Sequence, residues 1–201
     1  MSLVNPDDPR AKRTRKYIQD AFAELLGEKD FEAISIQDIM DRAELNRATF
    51  YNHYQDKYEL LELTMKGAFA DTLSAWIPSG TAMQGPELLR RLMMAVCEWQ
   101  VETTKRLNSR RTLSHVMEDN AKQQLHNIII ACMTHSGELP MEEQRKLERV
   151  ATMISWSVYG VVVKWSQVQD EPAEALIEQV LPFLMSNLQT LGMSADSNGH
   201  V

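Results

Sequence analysis

An all-α fold, with a small N-terminal head of three helices and a larger helical body, is expected from three features of this 201-residue chain. Three helix-start signals crowd into residues 35 to 61. Apolar residues recur at helical spacing along most of the chain beyond them. Breaks at Pro78-Ser-Gly80, Pro86, Ser136-Gly137, Pro140 and Pro172 divide that longer stretch into separate helices.

In chain order, the first element is an amphipathic helix marked by Ile18, Phe22, Leu25 and Leu26. The run Arg10-Ala-Lys-Arg-Thr-Arg-Lys16 stands just before it, with five positive residues and no acid. A patch of this kind suits phosphate contacts, with Arg13 at its centre. The net charge of −7 and a pI near 5.3 argue the other way for the chain as a whole. The acid is therefore concentrated elsewhere, and one basic end can meet DNA while the remainder stays clear of it.

Ser35 can cap the next helix, with Asp38 reaching back to the cap amide and Ile34 and Ile39 closing a hydrophobic staple. Asn46 repeats the pattern with Leu45 and Phe50 as the staple pair. Asp56 repeats it again, with Glu59 completing a capping-box-like pair. The two intervening helices must be very short, which is the mark of a helix-turn-helix. Such a pair has little core of its own but presents one helix at the height of a DNA major groove.

On the second short helix Phe50 and Tyr54 form the buried stripe. The opposite face carries Ala48 and Asn52, flanked by Arg47, Thr49 and Tyr51. That face reads either as ordinary solvated surface or as a surface that touches a partner, and the neighbouring basic run favours the second. Arg47 and Asn52 can make bidentate contacts with guanine and adenine, and the methyl groups of Ala48 and Thr49 suit a thymine methyl.

Residues 43 to 61, Ala-Glu-Leu-Asn-Arg-Ala-Thr-Phe-Tyr-Asn-His-Tyr-Gln-Asp-Lys-Tyr-Glu-Leu-Leu, closely resemble the signature of TetR-family transcriptional regulators, and the specific resemblance covers about residues 12 to 70. It implies a DNA-binding domain over 10–70, with its helix-turn-helix over about 35–54. An effector-binding and dimerisation domain is implied over 71–192, followed by a loose tail at 193–201. By the same resemblance Arg47, Ala48, Thr49, Tyr51, Asn52 and His53 face DNA, Ser35 and Gln37 meet the phosphate backbone, and Lys57 meets a phosphate from the start of the fourth helix. His53 has a second reading, as a brace on the buried side of the turn.

The chain departs from the family pattern at Glu44, where glycine is usual. Either the turn differs, or Glu44 takes a left-handed conformation at a cost of about 1 kcal/mol.

Beyond Asp56 a long helix should run to about Trp76, and another from Pro86 to about Lys105. Residues 106 to 120 are less regular. Leu125, Ile128, Ile129, Cys132 and Met133 resume the helical period. Val150, Ile154, Val158, Val161, Trp165 and Val168 make one seam, with Trp156, Tyr159 and Val163 lying off it. The final helix repeats the pattern with Leu176, Val180, Leu184, Leu188 and Leu191, and Pro182 should kink it. Helices apolar on more than one side need more than one partner. The resemblance implies that they pair with a second copy in a four-helix bundle, using Val158, Val161, Trp165, Val180, Leu184 and Leu188. A two-fold homodimer would offer two recognition helices to a near-palindromic operator.

The middle helices would then enclose a small-molecule effector, with Met93, Trp99, Met117, Met133 and Trp156 as candidate lining among twelve Met and four Trp. The implied function is a ligand-responsive transcriptional regulator, a repressor that releases its operator when the effector binds. The alternative is a helical dimeric protein-interaction module that keeps the head fold without reading specific DNA.

An enzyme is not expected, because no metalloprotease His-Glu-x-x-His, phosphate-binding glycine loop or nucleophile elbow is present. Cys132-x-x-His135 and His115-x-x-Glu118 each supply two ligands where zinc needs about four, so no metal and no cofactor is expected. Cys97 and Cys132 read as buried small hydrophobes. With no membrane-length apolar run and only two thiols, a reduced cytoplasmic setting is the expectation.

Overall fold

The first helix begins earlier than its apolar stripe suggests. In the computed structural model, which describes residues 7–78, 85–106, 110–134 and 140–190, helix α1 spans Pro9–Glu28. Asp8 caps it by accepting from the Arg10 amide at 2.8 Å, and Pro9 sits where no amide partner is needed. The basic run therefore lies inside the first two turns of α1 rather than before it. Positive side chains at the positive end of a helix dipole are locally unfavourable, and Lys12 is offset by Asp7 at 3.1 Å. Ile18, Phe22, Leu25 and Leu26 are buried as the sequence suggests.

A short 3₁₀ turn, Phe31–Ala33, comes after α1 and carries no sequence signal of its own. Phe31 is fully buried, with its ring edge-on to Phe22 and Tyr58 at centroid distances of 6.2 and 5.1 Å. Helices α2 (Ile36–Arg42), α3 (Arg47–His53) and α4 (Lys57–Trp76) come next. α1 packs against both α2 and α3, and α2 against α3.

α5 (Gly85–Arg106), α6 (Arg110–Met133), α7 (Met141–Val168) and α8 (Ala173–Thr190) complete the chain, and no strand occurs among the described residues. α6 is one continuous helix, so the irregular polar stretch before residue 120 does not interrupt it. Met117, Ala121, Leu125 and Ile129 bury a single stripe along it. Arg90 of α5 pairs with Glu178 of α8, and α7 packs against α8. Pro182 lies inside α8.

The chain divides into two compact units, Met1–Ala68 with Thr103–Met117 and Phe69–Glu102 with Glu118–Val201. In the second unit Leu89, Leu92, Met93, Val96 and Trp99 of α5 are buried, with the Phe69 and Trp99 rings 4.8 Å apart. On α7 the buried residues are Leu147, Val150, Ala151, Ile154, Ser155, Val158, Tyr159 and Val162. This stripe advances by fours and drifts around the helix, as a 3.6-residue period requires. It departs from the expected seam after Val158. Val161 and Trp165 are half-buried and Val168 is exposed.

Of the residues expected at a dimer interface, Val158 and Leu184 are buried within the second unit, while Val161, Trp165 and Val180 are half-buried. The side chains of Leu188 and Met133, together with His135 and the tail at 193–201, lie outside the described residues. Of the candidate effector-lining residues, Met93, Trp99 and Met117 are buried and Trp156 is 59% exposed.

Candidate nucleic-acid interface

Each helix of the head starts with local bonds that the sequence encodes. The Ser35 hydroxyl accepts from the Asp38 amide at 3.1 Å, and the Asp38 carboxylate accepts from the Ser35 amide at 2.8 Å and the Ser35 hydroxyl at 2.7 Å. Those bonds, the hydroxyl's first, and Lys29 at 3.2 Å hold the Asp38 carboxyl down at about 2. Asn46 accepts from the Ala48 amide at 2.8 Å to open α3. Asp56 accepts from the amides of Tyr58 and Glu59 at 2.8 and 2.9 Å, and Glu59 reaches back to the Gln55 amide at 2.6 Å.

The turn between α2 and α3 settles the question posed by Glu44. Its φ is 55°, in the left-handed region. The Leu45 amide bonds to Met40 O at 2.9 Å and the Glu44 amide to Asp41 O at 3.2 Å. That pair of bonds is the Schellman closure of a helix, in which the left-handed residue is normally glycine. The turn is thus the expected one, made with a residue that is strained in it.

α3 is fixed from its inner face. Phe50 and Tyr54 are fully buried, with ring centroids 5.5 Å apart. On the outer face Arg47, Ala48 and Tyr51 are exposed, and Thr49, Asn52 and His53 are half-buried beside them. The Tyr51 ring stands edge-on to Phe50 at 5.5 Å, which limits its freedom. The six residues expected to face DNA thus lie on one short helix, three outward and three at its margins. Arg13 and Lys16 are exposed on α1, and with Arg47 they enter no ion pair among the described residues.

His53 sits at the margin of this surface. Its Nδ1 is buried with no hydrogen-bond partner among the described residues, and burial, followed by the nearby positive charge of Arg15, pushes its pKa down. Both effects favour the neutral imidazole over the charged form. Tyr54 is deeper still: burial pushes its phenol up to about 12, and its hydroxyl lacks a partner among the described residues.

Two of the residues expected to meet phosphate have partners within the chain. Ser35 spends both its amide and its hydroxyl proton on Asp38, so it caps α2 and has no proton left to donate outward. Lys57 is turned inward, where its ammonium donates to the carbonyls of Phe31, Glu32 and Ile34 at 3.1, 3.3 and 3.2 Å. Gln37 remains exposed, with its amide nitrogen on Asp41 at 2.6 Å.

Arg42, which carries no signal of its own in the sequence, is part of the frame. Its guanidinium forks onto Glu28 with two 2.8 Å bonds and reaches Glu24 at 3.1 Å, locking the end of α2 to α1. The Arg42 hydrogen bond holds the Glu28 carboxyl below its ordinary range. Glu24 and Glu28, one turn apart on α1, are the available hint, but only the packing of α2 reveals their partner. No group of three potential metal ligands occurs among the described residues.

Residues 18–64 match the model of the family described as bacterial regulatory proteins, tetR family. The chain is 27% identical over 183 residues to the uncharacterized HTH-type transcriptional regulator YxbF of Bacillus subtilis, covering 88% of this chain and 46% of that protein. It is 38% identical over 61 residues to the HTH-type dhaKLM operon transcriptional activator DhaS of Lactococcus lactis, covering 30% of this chain and 33% of DhaS. The chain thus spans less than half the length of either curated relative.

Among solved structures, RolR in complex with resorcinol aligns with a TM-score of 0.57 at 15% identity, covering 92% of this chain and 96% of RolR. FadR of Bacillus subtilis in complex with stearoyl-CoA aligns with a TM-score of 0.53 at 19% identity, covering 85% of this chain and 97% of FadR. At these identities the likeness is one of fold.

Proposed function

We propose that this chain, which belongs to the TetR family of bacterial regulatory proteins, works as a ligand-responsive homodimer that represses by binding a near-palindromic duplex and releases it when a small molecule binds the second unit. The reading of the chain as a transcriptional regulator of this family is supported by the family match over residues 18–64 and the helix-turn-helix fold. The DNA-reading role rests above all on α3. Its inner face is fixed by Phe50 and Tyr54 while Arg47, Ala48 and Tyr51 point outward, on the same unit as the exposed Arg13 and Lys16 of α1. Arginine and asparagine read purine edges, and exposed cations position the backbone.

A homodimer is supported by the apolar side chains that α7 and α8 leave in solvent. Met153, Trp156 and Phe183 are 54%, 59% and 73% exposed. Gly160, one turn beyond Trp156, has open space where a side chain would project, so another helix can approach closely there. Apolar side chains of this size favour burial against a partner, and a second copy offers the same surface. Ligand control is supported by the neighbours of like fold bound to stearoyl-CoA and to resorcinol. Effector release would act through differential affinity for two conformations.

Selection of bound duplexes from a randomised pool by the full chain, with titration across salt, tests the reading. A dyad-symmetric sequence whose affinity falls steeply with salt is expected. Failure to enrich any sequence at low salt overturns it and favours a protein-interaction role. Sedimentation of the protein and of Trp156→Glu tests the dimer, which the substitution should dissociate.

A further inference from the structure

Lys57 is the first residue of α4, and its side chain runs back across the head. A lysine ammonium has three protons, and here three backbone carbonyls receive them: Phe31, Glu32 and Ile34, at 3.1, 3.3 and 3.2 Å. The Glu32 carboxylate lies 3.7 Å away, and the Phe31 ring centroid 4.5 Å. Only 18% of the side chain is exposed. The three carbonyls belong to the 3₁₀ turn and to Ile34, the residue directly before the Ser35 cap of α2. Without that donor the part-buried Ile34 carbonyl loses this bond, while Phe31 O keeps the one it accepts from the Ile34 amide at 3.1 Å.

α2 is consequently tied at both ends. Arg42 fastens its last turn to Glu24 and Glu28 of α1, and Lys57 fastens the backbone leading into its first turn to the start of α4. α2 in turn sets α3, through the closed turn at Glu44 and the packing of the two helices. We propose that Lys57 is a positioning residue for DNA reading: it fixes the line of α2, and so the angle at which α3 meets the groove, while its charge faces the protein. A phosphate could take that charge only by displacing three carbonyl bonds.

The proposal rests on the head reading duplex DNA, and its consequences differ from those of a phosphate contact. A lost phosphate contact lowers the salt slope by about 0.9 and weakens all duplexes alike. A lost positioning bond leaves the slope alone and weakens the preferred sequence selectively.

The test compares wild type with Lys57→Met on the duplex enriched from the randomised pool and on a random duplex of equal length. Affinity for the enriched duplex should fall about tenfold or more, the size of one misplaced base contact. Affinity for the random duplex, and both salt slopes, should hold. Equal weakening of both duplexes with a shallower slope overturns the proposal in favour of a phosphate contact. An unchanged preference per folded molecule overturns it in favour of a purely stabilising role.

Amide hydrogen exchange of the free protein provides a measurement without DNA. Lys57→Met should speed exchange in α2 while leaving α7 unchanged, and unchanged protection in α2 overturns the proposal. If wild type enriches no duplex, the regulator reading fails and the exchange result still decides whether Lys57 holds α2. Lys57→Gln, which keeps two donors, replaces the Met variant if that does not fold, with the same expected signs.

Discussion

The two units of this chain are held in different ways. In the head, short helices are specified by polar bonds with named partners: the cap of Ser35 and Asp38, the Asn46 cap, the fork of Arg42 on Glu28 and the three-carbonyl hold of Lys57. In the second unit, helices of 18 to 28 residues are held chiefly by apolar stripes, such as Leu89, Leu92, Met93 and Val96 on α5 and Val150, Ile154 and Val158 on α7. A seven-residue helix buries too little to fix its own orientation, and a surface that reads base edges needs orientation above all. Polar bonds supply direction in the head; apolar area supplies cohesion in the second unit.

The largest effects should come from the cores. Phe50→Ala removes a fully buried ring from the head and should cost about 3 to 5 kcal/mol, while Met93→Ala in the second unit should cost about 2 to 5 kcal/mol. The contrast is in the consequence. Denaturant unfolding monitored by hydrogen exchange should show α2 and α3 losing protection first in Phe50→Ala, and α5 in Met93→Ala. Uniform loss in both variants would erase the distinction between the units.

A smaller effect, of about 1 kcal/mol, is expected from Ser35→Ala, which removes the α2 cap. Despite that modest cost it should raise exchange throughout α2, because the helix has only seven residues to share the loss. Glu44→Gly should act in the opposite direction, stabilising by roughly 0.5 to 1 kcal/mol through relief at φ 55°. A melting temperature that falls in Glu44→Gly would mean that the Glu44 side chain makes a contribution larger than its strain.

The subtlest test is pH. The Asp38 carboxyl is held at about 2, below its unfolded value near 3.9. Its contribution to stability is therefore complete above the unfolded value and is lost as pH falls toward about 2. Stability of Asp38→Asn should be flatter than that of wild type across that window. Parallel profiles would remove Asp38 from the polar frame of the head.

The contrast between the units also explains what can be read from the sequence. The caps at Ser35, Asn46 and Asp56 are legible because each cap and its partner lie within four residues. Glu44 is singled out only by its departure from the family pattern, which leaves two turns open, and its φ of 55° decides between them. Phe50 and Tyr54 declare the inner face of α3, and so its outer face. Lys57 and Arg42 cannot be read this way: their partners lie 14 to 26 residues away, brought near only by the packing of α1, α2 and α4. On α7 the period is clear, but which side faces inward depends on α8 and its other neighbours. Val158 is inner and Trp156 outer for that reason.

The central claim is that α3 reads bases and that Arg47 is its principal reader. Its most direct test is the affinity of wild type and Arg47→Ala for the enriched duplex, for single-base variants of it and for random DNA. A loss of about 1 to 3 kcal/mol is expected on the enriched duplex, with discrimination relaxed at one guanine in each half-site and random binding nearly unchanged. Equal weakening on enriched and random DNA, with discrimination intact at every position, would contradict it.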